Sequence, residues 1–262
     1  MRAERRPADL RGPAERGVSW PAAPPLPRPR ILRQRWLDLT FVHWAFEPAD
    51  VAQCFPPGTR PDTFEGRTYV GLVPFRMVGT GLPRGPGVPY VGSFLETNLR
   101  LYSVDETGRR GVVFLSLDAD RLAVVAAART VFGLPYRWAR MAHERDGNHH
   151  DYSSTVRASG AHATVGVDMG ERLPIGPLED FLTARWGLHV HRAGRTWYLP
   201  NEHPPWILHD ATLTTLDADS LLLSVGLTPP DRAPDHVAFS AGVPAAFAVP
   251  SGPSSALPSG RR

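Results

Sequence analysis

The chain predicts an α+β fold in which one antiparallel β-sheet rolls toward a barrel, accompanied by two or three helices. Three observations carry this. Short strand-like segments recur between residues 36 and 248, separated by turns rather than by crossover helices. Only three stretches carry helix start and stop signals. No internal repeat and no linker-like break divides the body, which reads as a single domain over 36–249. An Arg- and Pro-rich leader (1–35) and a low-complexity tail (250–262) flank it, both expected to be disordered.

The elements follow in order. Leu37, Leu39 and Phe41 alternate in a first strand from Trp36 to Phe46. Pro48 opens a short helix over 48–52, which Pro56-Pro57-Gly58 ends. Tyr69 to Val78 is a strand, followed by a Gly/Pro loop from Gly79 to Pro89. Phe94–Val104 and Val112–Leu117 are strands around the turn Asp105-Glu106-Thr107-Gly108. An Ala-rich helix runs from Ala119 to Phe132, with Asp118 placed to cap it and Gly133 and Pro135 to stop it. A further helix spans 178–186 between Pro177 and Gly187. Strands are expected near 150–157, 161–168, 188–192, 195–199, 206–216, 221–226 and 236–248.

Composition bounds the function. The sequence holds no lysine; all 29 basic residues are Arg. The leader carries nine Arg against three acids, whereas residues 36–250 carry eighteen Arg against twenty-three acids, a net charge of −5. An acidic body argues against a nucleic-acid groove, although the basic leader can touch a polyanion. No apolar run is long enough to span a membrane. A single cysteine, Cys54, forms no intrachain disulfide, and its simple reading is a core residue in a reducing cytoplasm. The ten His show no metal-ligand spacing, so neither a metal nor another cofactor is expected.

One strand stands out. In SFLETNLRLYS, Phe94, Glu96, Asn98, Arg100 and Tyr102 share one face, while Leu95, Thr97, Leu99, Leu101 and Ser103 share the other. The polar stripe is either a solvent face with cross-strand ion pairs or the lining of a polar cavity. In a cavity, Glu96 is a candidate acid or base and Arg100 a carboxylate clamp. The second feature is A-R-T-V-F-G-L-P-Y-R-W, which puts Arg129 in the last turn of the Ala-rich helix and Tyr136 and Arg137 just beyond it. Helix C-capping alone also accounts for such an Arg. His203 in H-P-P-W is a candidate pocket residue, or simply part of a rigid corner with a buried indole.

Together, E-x-N-x-R-x-Y, F-L-S-L-D-A and A-R-T-V-F-G-L-P-Y resemble the YqjF-like family of uncharacterised bacterial proteins, with support from F-E-G-R-T-Y-V-G-L-V-P-F-R-M, L-E-D-F-L-T-A-R-W and H-P-P-W. The resemblance covers about residues 36–245. That family resembles a distant branch of the acetoacetate decarboxylase superfamily, which implies a cone-shaped antiparallel barrel around a buried pocket and allows assembly with like chains. In the superfamily an Arg is followed by a Pro and two Lys, the first of which forms a Schiff base. Here Arg129 and Pro135 match, but Tyr136 stands at the Schiff-base position and Arg137 at its cationic neighbour. A phenol cannot form an imine, so Schiff-base decarboxylation is excluded.

The chemistry left open is proton transfer on a small carbonyl, carboxylate or phenolic compound, of isomerase, dehydratase or cyclase type. Glu96, Tyr136 and Arg129 are the candidate catalytic residues, and Asn98, Arg100, Tyr102, Arg137 and His203 the candidate binding residues. A binding or sequestering protein on the same pocket, or an interaction module acting through its leader, are the alternatives.

Overall fold

The computed structural model describes residues 23–252. Most of the expected leader and the expected tail (1–22 and 253–262) lie outside the described residues. The described elements are β1 (Arg30–Phe46), α1 (Pro48–Val51), β2 (Thr59–Pro61), β3 (Thr68–Gly81), β4 (Phe94–Asp105), β5 (Arg110–Ala119), α2 (Leu122–Phe132), β6 (Tyr136–Asp146), β7 (His149–Val156), β8 (His162–Arg172), α3 (Pro177–Thr183), β9 (Gly187–Arg192), β10 (Arg195–Glu202), β11 (His209–Asp217), α4 (Asp219–Leu223) and β12 (His236–Ala248).

The strands form one sheet that closes on itself twice. One circuit runs β1-β3-β4-β5-β9-β10-β12 and back to β1, closed by the β4–β5 and β10–β12 pairings. The other leaves β5 through β6, β7, β8 and β11 and rejoins at β12. Pairing is antiparallel except at β5–β6 and β5–β9, which are parallel. The strands β12, β1, β3, β4 and β5 therefore belong to both circuits, and β3, β4 and β5 carry no exposed residue.

This shared wall explains the burial pattern. On β4, Leu99 and Leu101 enter an apolar core with Val42, Trp44, Val70, Leu72, Tyr152 and Val165. The opposite faces of the same strands contribute Leu39, Phe41, Val73, Phe75 and Phe94 to a second cluster with Trp206 and α2 residues Val125 and Ala128. Burying each such side chain contributes about 1.5–3 kcal/mol, so the wall is stabilised from both sides. A solvent-facing stripe on β4 is thereby ruled out.

Three expectations are corrected, and one strand is absent from the sequence reading. β1 starts at Arg30, inside the segment read as leader, because β12 supplies ladder partners as far as Arg30↔Ala248. Asp118 does not cap α2: it lies within β5, which ends at Ala119, while α2 begins at Leu122 and its N-cap residue Arg121 makes no side-chain cap bond. Residues 219–223 form α4 instead of part of a strand over 221–226, since Leu221 and Leu222 bury one side of a short helix in the first core. β6, whose polar sequence shows little apolar alternation, is a full strand held between β5 and β7. Elsewhere the reading matches closely; β9, β10 and β12 lie where the alternation puts them.

Gly242 marks the tightest backbone approach in the wall. Its φ is 120°, and a Cβ there would collide with the backbone of Trp36 and Leu37 on β1. Gly242→Ala is expected to destabilise the fold by roughly 2–3 kcal/mol, from backbone strain added to the clash. Urea denaturation checks this; a loss below about 0.5 kcal/mol contradicts the account of the β1–β12 seam.

Candidate active site

The seven-strand circuit encloses a cavity of about 340 Å³, at the small end of the usual range for ligand sites. Alternation along β4 aims Glu96, Asn98 and Arg100 into it, with Phe75, Phe94 and Phe114 among its apolar lining. Helix α2 covers one side through Ala123, Ala127 and Val131. The turn Gly133-Leu134-Pro135 then sends the chain directly into β6, where the Leu117 amide bonds to the Pro135 carbonyl. Gly133 has φ 70°, the left-handed helix end that glycine adopts without penalty. Tyr136, the first residue of β6, thus stands beside Leu117 and faces the cavity.

Tyr136 Oη donates to Glu96 Oε2 at 2.6 Å. Asn98 Nδ2 lies 3.5 Å from Glu96 Oε1, and Asn98 Oδ1 is buried without a partner among the described residues. Glu96 is 3% exposed and no salt bridge reaches it among the described residues. Burial pushes its pKa up to about 7; the bonds from Tyr136 and Asn98 oppose the shift and the nearby Asp118 charge adds to it. Tyr136 is held well above the ordinary phenol value by burial and by the Glu96 carboxyl, so it stays a proton donor.

The other candidates divide. Arg100 lines the cavity; its Nε and Nη2 donate to Tyr102 Oη at 3.1 and 3.0 Å, and Nη2 to the Leu182 carbonyl at 3.2 Å. Tyr102 is fully buried behind Arg100 and lies outside the cavity lining, so it supports rather than lines. His203 lines the cavity among Trp36, Trp186 and Trp206, and burial lowers its pKa to about 4, leaving a neutral imidazole.

Two candidates fall outside. Arg129 is exposed on α2 and does not line the cavity, because the buried face of α2 is that of Val125 and Ala128. Arg137, one residue after Tyr136, points to the other side of β6. There Nε donates to Asp118 Oδ1 at 2.6 Å, and Nη2 and Nη1 to Ser116 and Ser224. It neutralises a buried aspartate instead of meeting a ligand.

Residues not singled out in the sequence complete the site. Arg185, 5% exposed, lines the cavity and shares Asp62 with Arg110, at 2.5 Å from each. Its signal was a lone Arg within the apolar run Phe181-Leu182-Thr183-Ala184-Arg185-Trp186. Asn201 also lines the cavity, with Oδ1 buried and without a partner among the described residues. Behind Tyr102, His43 Nε2 lies 2.6 Å from Tyr102 Oη and His43 Nδ1 lies 3.0 Å from His236 Nδ1. No three His, Cys, Asp or Glu side chains converge on one point among the described residues, and no described helix is long and apolar enough to cross a membrane.

A cone-like double-wound sheet around a cavity of this kind is the acetoacetate decarboxylase-like fold. An acetoacetate decarboxylase from Legionella pneumophila superposes with a TM-score of 0.57 at 13% identity, covering 94% of this chain and 93% of that one. The enduracididine biosynthesis enzyme MppR in complex with pyruvate superposes with a TM-score of 0.60 at 14% identity, covering 87% of this chain and 92% of that one. Within this fold the chain belongs to the DUF2071 family, described as an uncharacterized conserved protein, which matches residues 33–244. The uncharacterized protein YqjF of Bacillus subtilis (strain 168) is 30% identical over 208 residues, 78% of this chain and 85% of YqjF.

The raised Glu96 pKa has a consequence for stability. Between the ordinary value of 4.5 and about 7, the folded chain holds a proton that the unfolded chain releases. The stability contribution is therefore full below 4.5 and is lost as pH rises through 7, by roughly 3 kcal/mol. Glu96→Gln is neutral at every pH. Relative to wild type it is expected to gain stability between pH 5 and pH 8, measured by urea denaturation at both values; a constant difference between the two proteins contradicts the shift.

Proposed function

We propose that this protein is an acid/base enzyme needing no cofactor, acting on a carbonyl, carboxylate or phenolic compound through Glu96 and Tyr136. The observation that carries the reading is the Tyr136–Glu96 hydrogen bond of 2.6 Å on the wall of the cavity. With a pKa of about 7, Glu96 is divided between its two forms near neutral pH, which suits a group that both takes and returns a proton. Tyr136 keeps its proton and can turn it from Glu96 to an oxygen on which charge develops.

In the simplest step, the Glu96 carboxylate takes a proton from a carbon next to a carbonyl. The C–H electron pair forms the enolate, and Tyr136 donates a hydrogen bond to the enolate oxygen. Where the substrate carries a β,γ double bond, return of the proton from Glu96 to the γ carbon completes an isomerisation; where it carries a β-hydroxyl, departure of that group, protonated by Glu96, completes a dehydration. Both balance without an oxidant or a metal. A lysine imine is not available to this sequence. That MppR, on a similar fold, has been solved with pyruvate supports an oxo-acid or related carbonyl compound as ligand.

The second reading is a non-catalytic binder on the same cavity. It is favoured by the carbonyl oxygens of Asn98 and Asn201, which have no partner among the described residues and suit recognition without reaction. Turnover separates the two. Screened against a library of oxo acids, hydroxy acids and phenols, the enzyme reading expects kcat/KM to rise with pH through about 7. Glu96→Gln should lower it by roughly 10²–10⁴-fold and Tyr136→Phe by roughly 10²-fold. Turnover that persists unchanged in both variants removes these roles, and a library with no substrate favours the binder.

A further inference from the structure

We propose that the cavity takes an extended monocarboxylate, with its carboxylate on Arg100 and its apolar body running toward Glu96 and α2. The proposal names the ligand class for the cavity read above and rests on that reading.

Arg100 is a cation held in place without being neutralised. Its hydrogen-bond acceptors are a phenol and a peptide carbonyl, and no carboxylate lies within salt-bridge distance of it among the described residues. Nη1 makes no hydrogen bond to the described protein. The groups behind it are neutral as well, since burial keeps His43 and His236 below their ordinary pKa. Tyr102 donates to His43 Nε2 and His43 Nδ1–H to His236 Nδ1, so one chain of neutral bonds orients the guanidinium. The Phe41 ring packs 5.5 Å from it. A partly buried guanidinium among aromatic walls gains most from an anion, and a carboxylate matches its planar fork.

The spacing sets the ligand's length. Arg100 follows Glu96 by four residues on one strand face, placing their Cα atoms roughly 13 Å apart. The guanidinium leans toward Tyr102, away from Glu96. The anion site and the Glu96–Tyr136 pair are thus separated by roughly 13 Å or more. A two- or three-carbon acid cannot touch both. The lining between them holds Asn98 on β4 and is otherwise built of apolar side chains such as Leu39, Phe75 and Phe114; the cavity also reaches Val88 and Val131, which are 49% and 55% exposed. A hydrocarbon tail fits that lining; a second charge does not.

Isothermal titration of the full chain with acetate, octanoate, octanol and octylamine tests this. Octanoate is expected to bind at least tenfold more tightly than octanol or octylamine, with acetate undetected. Arg100→Gln should erase the difference between octanoate and octanol, and Arg100→Lys should restore part of it. Equal binding of octanoate and octanol by wild type, binding of acetate as tight as octanoate, or no binding of octanoate overturns the proposal. These wild-type comparisons decide even if Arg100→Gln fails to fold. Octanoate binding retained in Glu96→Gln, with no turnover found for any compound, sinks the enzyme reading and leaves this one standing. Turnover without an octanoate preference does the reverse.

Discussion

A carboxyl group buried without a cation among the described residues is the constraint on which the arrangement of the cavity depends. Glu96 sits inside a closed circuit of strands, where ionisation costs hydration energy that nothing nearby restores. Two neutral donors, Tyr136 and Asn98, soften the cost without removing it. The balance holds the group near neutrality of pH, where a carboxyl can both accept and give a proton. Every other feature of the site follows from keeping that group dry and the cations apart from it: Arg137 is committed to Asp118, Arg185 to Asp62, and Arg100 leans away toward Tyr102.

The dryness comes from the sheet. Because β12, β1, β3, β4 and β5 are shared by two closed circuits, both faces of β4 are covered. The Leu99/Leu101 face is anchored in a continuous apolar core, which fixes the register of the opposite face. A slip of one residue would exchange Glu96, Asn98 and Arg100 for Leu95, Thr97 and Leu99 and would drive charged groups into the core. The same packing that stabilises the fold therefore positions the site.

Much of this is legible in the sequence, and the limits have physical causes. Strict alternation in SFLETNLRLYS identifies the strand and the grouping of Glu96, Asn98 and Arg100 on one face. Alternation cannot tell a cavity face from a solvent face, since both are polar; only closure of the seven-strand circuit decides it. Tyr136 was legible through the family pattern, whereas Arg129 was misplaced because the rotation of α2 depends on which of its Ala-rich faces packs, and those faces differ little in sequence. Asp118 looked like a cap because an acid before an Ala run usually is one; its partner Arg137 is nineteen residues away. Residues 221–226 form a short apolar run, a pattern that helix and strand share.

The central claim is that Glu96 is a carboxyl poised near neutral pH by burial beside Tyr136. The most direct measurement is a ¹³C NMR titration of the glutamate side-chain carboxyls, with the Glu96 resonance assigned by its loss in Glu96→Gln. The account predicts a midpoint near 7 for Glu96, falling toward the ordinary value when Glu96 is opened to water. A midpoint at the ordinary value of 4.5 in the wild-type protein would contradict it.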